Sequence, residues 1–180
     1  MLFNVAGLLN ADVGATRAGS LDGERIETAD GVFENIEGTV EMLRTDSTIL
    51  VTAELGAQTT RACSRCLEPA RIDLGVLIEE EFHPVNIDLG AGPRYGRGEP
   101  DDLPDDEALI IDDRNMLDLS EVIRQALTVA LPMAPLCRPD CAGICPVCSR
   151  DRNKEPCDCE KEIGDRGLAP LAKLFTRDAN

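Results

Sequence analysis

Eight cysteines dominate the chemistry open to this sequence. They fall in two places: Cys63-Ser64-Arg65-Cys66, and a later series of Cys137, Cys141, Cys145, Cys148, Cys157 and Cys159. A C-x-x-C turn presents two thiolates to one ion, and zinc takes four such ligands in a tetrahedron with Zn–S bonds of about 2.3 Å. Eight cysteines therefore make two complete sites. Cys145, Cys148, Cys157 and Cys159 suit one ion, because the excursion after Cys148 returns the chain to the same point. Cys63, Cys66, Cys137 and Cys141 suit the other, which would staple an early part of the chain to a late one. One zinc with four free thiols is the alternative partition.

The same thiols point away from catalysis. A catalytic zinc keeps an open position, usually beside His or carboxylate ligands, and a cysteine nucleophile needs a base. The sequence holds one histidine, His83, immediately before Pro84. It ends an alternating run, where a structural imidazole is the simpler reading. A thioredoxin-like role for Cys63 and Cys66 needs a strand-to-helix setting, whereas strand patterns flank this pair on both sides. The expectation is a protein that is not an enzyme. A thiol-based redox or zinc sensor, with Cys157 and Cys159 as the labile pair, is the alternative function.

The ligands need a scaffold, and 180 residues that are 43% hydrophobic can bury a core. Residues 1–90 read as β-rich and carry the first cysteine knuckle. Ile49, Val51, Ala53 and Leu55 share one face of a strand, and Ile72, Leu74, Val76 and Ile78 share one face of another. Ile36 to Leu43 is a weaker strand, interrupted at Gly38. Residues 91–117 read as an acidic Gly/Pro loop. The glycines from Gly90 to Gly96 lack dinucleotide-loop spacing and precede no helix pattern.

Residues 118–132 predict the main helix. Asp118 or Ser120 caps it, Val122, Ile123, Ala126, Leu127, Ala130 and Leu131 form its apolar stripe, and Pro132 ends it. Residues 133–180 form a cysteine-rich zinc segment with a short helix over 168–175. The fold class is α+β: an antiparallel β-sheet or small barrel, one main helix and a zinc-binding C-terminal segment.

Charge restricts the partners. The net charge is −16, and residues 73–118 hold 14 acidic and 3 basic side chains. Such a surface repels nucleic acid at long range and attracts a basic protein. Residues 137–161 carry five basic and five acidic side chains. Their arginines, Arg138, Arg150 and Arg152, together with Arg65, are positioned to offset thiolate charge, or to meet RNA phosphate. The N-terminal residues lack a positive segment and a long apolar run, so no signal peptide is expected. No stretch approaches the roughly 18 apolar residues of a membrane helix. A cytoplasmic setting, which keeps thiols reduced, is expected.

The assembled pattern resembles the YceD family of large ribosomal RNA subunit accumulation proteins. The resemblance rests on Cys63-Ser64-Arg65-Cys66-Leu67-Glu68-Pro69, on Glu79-Glu80-Glu81-Phe82, on the helix ending Ala130-Leu131-Pro132, on the block from Pro135 to Cys148, and on the run from Asp165 to Leu174. Ser149 departs from the pattern, where members commonly carry Gly after the knuckle. The resemblance implies a role in accumulation or processing of large-subunit ribosomal RNA and a setting in ribosome biogenesis. The partner implied is a basic ribosomal or assembly protein, or the ribosomal RNA or its precursor.

Protein purified without chelator is expected to hold about two zinc ions per chain, four thiolates to each. Elemental analysis checks this, and metal-free protein would falsify the zinc reading.

Overall fold

Long runs in the first half of the chain alternate apolar and polar side chains, and period-two alternation with one dry face produces antiparallel strands. The computed structural model describes residues 1–28, 31–85 and 106–159. It begins with a short strand β1 (Leu2–Asn4) and a one-turn helix α1 (Ala6–Leu9). Four long strands follow: β2 (Thr16–Thr28), β3 (Gly31–Arg44), β4 (Ile49–Ala62) and β5 (Pro69–Pro84). Two short strands, β6 (Ile110–Ile111) and β7 (Met116–Asp118), lead into helix α2 (Ser120–Ala130).

Strands β2 to β5 form an antiparallel meander in which each pairs with the next in sequence. β6 extends the sheet by pairing in parallel with the end of β5, His83 opposite Ile110. β1 and β7 form a separate antiparallel pair. β2 and β6 are the two edges and are not joined, so the sheet curves as a half-barrel and stops short of closure. The expected antiparallel sheet with a single main helix is the architecture found.

The alternation settles which face is dry. Ile49, Val51, Ala53, Leu55 and Ala57 on β4 are all buried, as are Leu74, Ile78 and Phe82 on β5. α2 covers this face with Val122, Ile123 and Leu127. Full burial of an Ile, Leu or Phe side chain contributes about 1.5–3 kcal/mol, so this layer is the main source of stability. Leu131, with ψ 130, leaves the helix for the extended conformation that a following Pro132 imposes. At the other end neither expected residue is the N-cap: Leu119 holds that position without a side-chain hydrogen bond, Ser120 is the first helical residue, and the Asp118 carboxylate accepts from the Ser120 N–H at 2.9 Å.

Gly38 does more than interrupt a strand. It sits at φ +151, and a Cβ there would lie 2.1 Å from the Glu54 carbonyl oxygen. The pairing of β3 with β4 shifts register nearby, between Glu34 and Glu37, and β2 shifts against β3 between Leu21 and Glu24. Such bulges bend and twist a sheet, and they give the half-barrel its curvature.

The span 91–117 is not loop throughout. Its described part holds a 3-10 turn at Glu107–Leu109, then β6 and most of β7. Strands of two and three residues leave no readable period; pairing with β5 and β1 creates them. Residues 91–105, and the expected helix over 168–175, lie outside the described residues.

Replacing Gly38 by Ala should destabilise the fold by about 1–3 kcal/mol or more, because it combines a disfavoured φ with a backbone collision. Urea denaturation measures it. Wild-type stability in that variant would show that the bulge can relax.

Candidate metal centres

The turn joining β4 to β5 is the first cysteine knuckle. The Leu67 N–H donates to the Cys63 carbonyl at 2.9 Å, and the Cys63 N–H donates to the Glu68 carbonyl at 2.8 Å. The second knuckle repeats the device. The Ser149 N–H donates to the Cys145 carbonyl at 2.9 Å, and the Cys145 N–H to the Arg150 carbonyl at 2.8 Å. Both turns place the residue after the second cysteine at positive φ: Leu67 at 64 and Ser149 at 58. A left-handed conformation costs an L-residue roughly 1–2 kcal/mol. That cost is the physical reason glycine suits the position where this chain carries Ser149.

The structure gathers the eight cysteines into two quartets. Cys63, Cys66, Cys137 and Cys141 form an inner cluster, and Cys145, Cys148, Cys157 and Cys159 an outer one; within each, the sulfurs all lie within 4.8 Å of one another. In the inner cluster, Cys63 Sγ is 3.8 Å from Cys141 Sγ, and Cys66 Sγ is 3.6 Å from Cys137 Sγ. A zinc tetrahedron with bonds of about 2.3 Å sets sulfur–sulfur edges of about 3.8 Å. The thiols present therefore fit a zinc ion, and this grouping is the preferred one of the two partitions read from the spacing.

The clusters differ in their surroundings. Cys63, Cys66 and Cys141 are buried and pack with Ala70 and Leu136 as a small core of their own. The Ser64 N–H donates to the Pro135 carbonyl at 2.8 Å, which ties the hairpin tip to the segment after α2. In the outer cluster only Cys145 is buried; Cys148 is exposed, and Cys157 and Cys159 are half-buried.

Each cluster holds one acidic thiol and two thiols pushed upward, Cys66 and Cys137 in the inner and Cys157 and Cys159 in the outer. The backbone N–H of Arg65, 3.5 Å from Cys63 Sγ, is the main cause that lowers the Cys63 pKa to about 6. The backbone N–H groups of Cys148 and then Val147 lower Cys145 to about 6. Desolvation and the neighbouring Cys66 thiol push Cys137 up to about 12. The neighbouring Cys148 thiol and desolvation push Cys159 up to about 12. The knuckle thus readies one thiolate, and a second cannot follow cheaply without a cation between them.

Residues outside the cysteines join the two centres. The Ile144 N–H donates to the Arg65 carbonyl at 2.9 Å, and Arg65 Nη1 donates to the Cys141 carbonyl at 2.9 Å. A Cβ at Gly143 would meet the Arg65 carbonyl oxygen at 2.9 Å, so only glycine lets the knuckles approach this closely. Asn153, in the outer loop, reaches the inner centre: its Nδ2 lies 3.4 Å from Cys141 Sγ, and its Oδ1 accepts from the Ala142 N–H at 2.8 Å and from Arg138 at 2.7 Å. Lys154 pairs with Glu68 beside the first knuckle at 2.5 Å. A lone asparagine in a polar loop carries no sequence signal, and Asn153 was not foreseeable. Arg65 was, but its backbone N–H is what meets the Cys63 sulfur, and its guanidinium donates to the Cys141 carbonyl. His83 lies at the end of β5, outside both clusters.

The fold and these clusters define a half-barrel β-protein with two four-cysteine centres compatible with zinc. The family model for large ribosomal RNA subunit accumulation protein YceD matches residues 51–175, and the chain belongs to that family. Uncharacterised proteins of Mycobacterium bovis and Mycobacterium tuberculosis are 33% identical over 118 residues, covering 66% of this chain and 52% of theirs. The chloroplastic YCED homolog 1 of Arabidopsis thaliana, named as a large ribosomal RNA subunit accumulation protein, is 28% identical over 188 residues, covering 93% of this chain and 58% of its own. The chain thus spans between half and three fifths of the length of these relatives. No solved structure is a significant match.

Metal affinity should fall as pH falls. Binding must deprotonate the resistant thiols and so releases protons; below about pH 6, Cys63 and Cys145 also lose their lowered-pKa advantage. Proton release on zinc titration at pH 7 checks the sign. Asn153→Ala should speed zinc loss from the inner cluster by roughly 10-fold or more, although Asn153 lies in the outer loop. Chelator-competition kinetics with Cys145, Cys148, Cys157 and Cys159 intact measures this; unchanged inner-site kinetics would show that the Asn153–Cys141 contact is incidental.

Proposed function

We propose that this chain is a non-enzymatic, zinc-loaded accessory factor for the accumulation of large-subunit ribosomal RNA, acting in ribosome biogenesis by binding a basic ribosomal or assembly protein. The observation that carries the reading is the closure of both quartets: each offers four cysteine sulfurs to one point. Four thiolates complete a tetrahedron, as in structural zinc sites, and leave no position for substrate or water. When bound, zinc supplies a +2 charge that lets neighbouring thiols stay ionised. The chain's own part is to position the sulfurs through the knuckle hydrogen bonds and to lock the outer centre onto the inner. The family name and the Arabidopsis relative support the ribosomal RNA setting. The net charge of −16 favours a basic protein over bare RNA as the direct contact.

The exposure of Cys148, Cys157 and Cys159 favours a second reading, a thiol-based sensor whose outer centre releases its ion on oxidation. Cells lacking the chain should show less large-subunit than small-subunit ribosomal RNA. Wild type should restore the ratio, and Cys63→Ser with Cys145→Ser should not. An undisturbed ratio in the deletion would end the biogenesis reading. Zinc release under mild peroxide, with a change in ribosomal RNA level, would favour the sensor.

A further inference from the structure

The sheet face turned away from α2 is exposed, and its side chains run across the strands in register. Ser20, Thr39, Glu54 and Leu77 form one row, and Ala18, Glu41, Thr52 and Glu79 the next. Beside the first row, Glu37 lies opposite Gly56, and Gly56 opposite Gly75. Here the face is hollowed into an open groove, with Asp22, Glu37, Glu54 and Leu77 at its sides and Gly56 and Gly75 in its floor.

Packing within the chain does not account for that floor. A Cβ at Gly75 would have nothing within 4 Å, and one at Gly56 would meet only two carbonyl oxygens, at 3.9 and 4.0 Å. Neither residue has a positive φ, unlike Gly38 beside them. Glycine inside a strand weakens it, and commonly marks a place where another backbone or a ligand comes close. Leu77, in the adjoining row, is 65% exposed despite its size. A bare floor beside an exposed leucine offers backbone approach and apolar contact together.

Charge selects what enters. Asp22, Glu37 and Glu54 flank the groove, and Glu41, Asp73 and Glu79 continue the same face. None of these carboxylates pairs with a cation among the described residues. Such walls draw lysine and arginine and repel phosphate.

We propose that this groove seats a short, extended, lysine- and arginine-rich segment of a protein partner, its backbone over Gly56 and Gly75 and an apolar side chain against Leu77. The inference rests on the protein-partner reading above. It places the contact on the sheet and not on the acidic run 101–106.

The test uses the full zinc-loaded chain and a fluorescein-labelled peptide of alternating lysine and serine with one central leucine, titrated beside labelled oligouridine. Gly75→Val changes no charge and adds a good strand former where nothing is touched, so thermal stability should hold or rise while peptide affinity drops roughly tenfold. Glu37→Lys with Glu54→Lys should weaken the peptide at least as much and keeps the test alive if the valine variant folds poorly. Asp101→Asn, Asp102→Asn, Asp105→Asn and Asp106→Asn together should slow association and leave the off-rate within about twofold. Wild-type peptide affinity in both groove variants would overturn the groove and leave the partner reading standing. Oligouridine binding tighter than the peptide would overturn the partner reading itself, with the groove proposal falling alongside it.

Discussion

Four thiols held within 4.8 Å of one another cannot all ionise unless a positive charge sits among them, because each thiolate raises the pKa of its neighbours. This crowding governs much of the architecture. It acts with desolvation to raise one thiol of each quartet to about 12, while backbone N–H groups lower another to about 6. It also explains the matching backbone of the two knuckles, whose inward-turned N–H groups supply the partial positive charge that starts ionisation. The sheet presents Cys63 and Cys66 at the tip of its longest hairpin. α2 and its proline-rich exit bring Cys137 and Cys141 to the same point, where the Pro135 carbonyl receives the Ser64 N–H.

Much of this was legible in the sequence, for identifiable reasons. The grouping of cysteines follows from the reach of a short chain excursion. The strands β4 and β5 follow from unbroken alternation, as at Ile49, Val51, Ala53 and Leu55. The stripe of Val122, Ile123 and Leu127 follows from helical period. β2 was not legible as an element, because an edge strand that buries only Leu21 has little alternation to show. β6 and β7 were hidden for a different reason: each exists only because a partner strand pairs with it. Asn153 was invisible because its role depends on three contacts in space, none of them close along the chain.

The family match begins at residue 51, inside β4, so it covers the β4–β5 hairpin, the helix and both centres and leaves out β1, α1, β2 and β3. The two parts of the chain contribute differently. The matched part carries the thiols, and the residues before it complete the sheet and bury its dry face with Phe33, Ile36, Val40 and Met42. Asp22 and Glu37 on the solvent side also come from that earlier part.

The meander has a consequence for the order of events during synthesis. Each long strand pairs with its immediate neighbour in sequence, so the sheet consists of local contacts and can assemble as it emerges. Cys63 and Cys141 are 78 residues apart, and Cys66 and Cys137 are 71 apart. A nascent chain therefore displays a finished hairpin bearing two thiols well before the remaining ligands leave the ribosome. During that interval the half-site offers two of its four ligands, and both thiols stand open to oxidants or competing metals. The inner centre closes late, and the outer centre, whose four cysteines come later still, closes last.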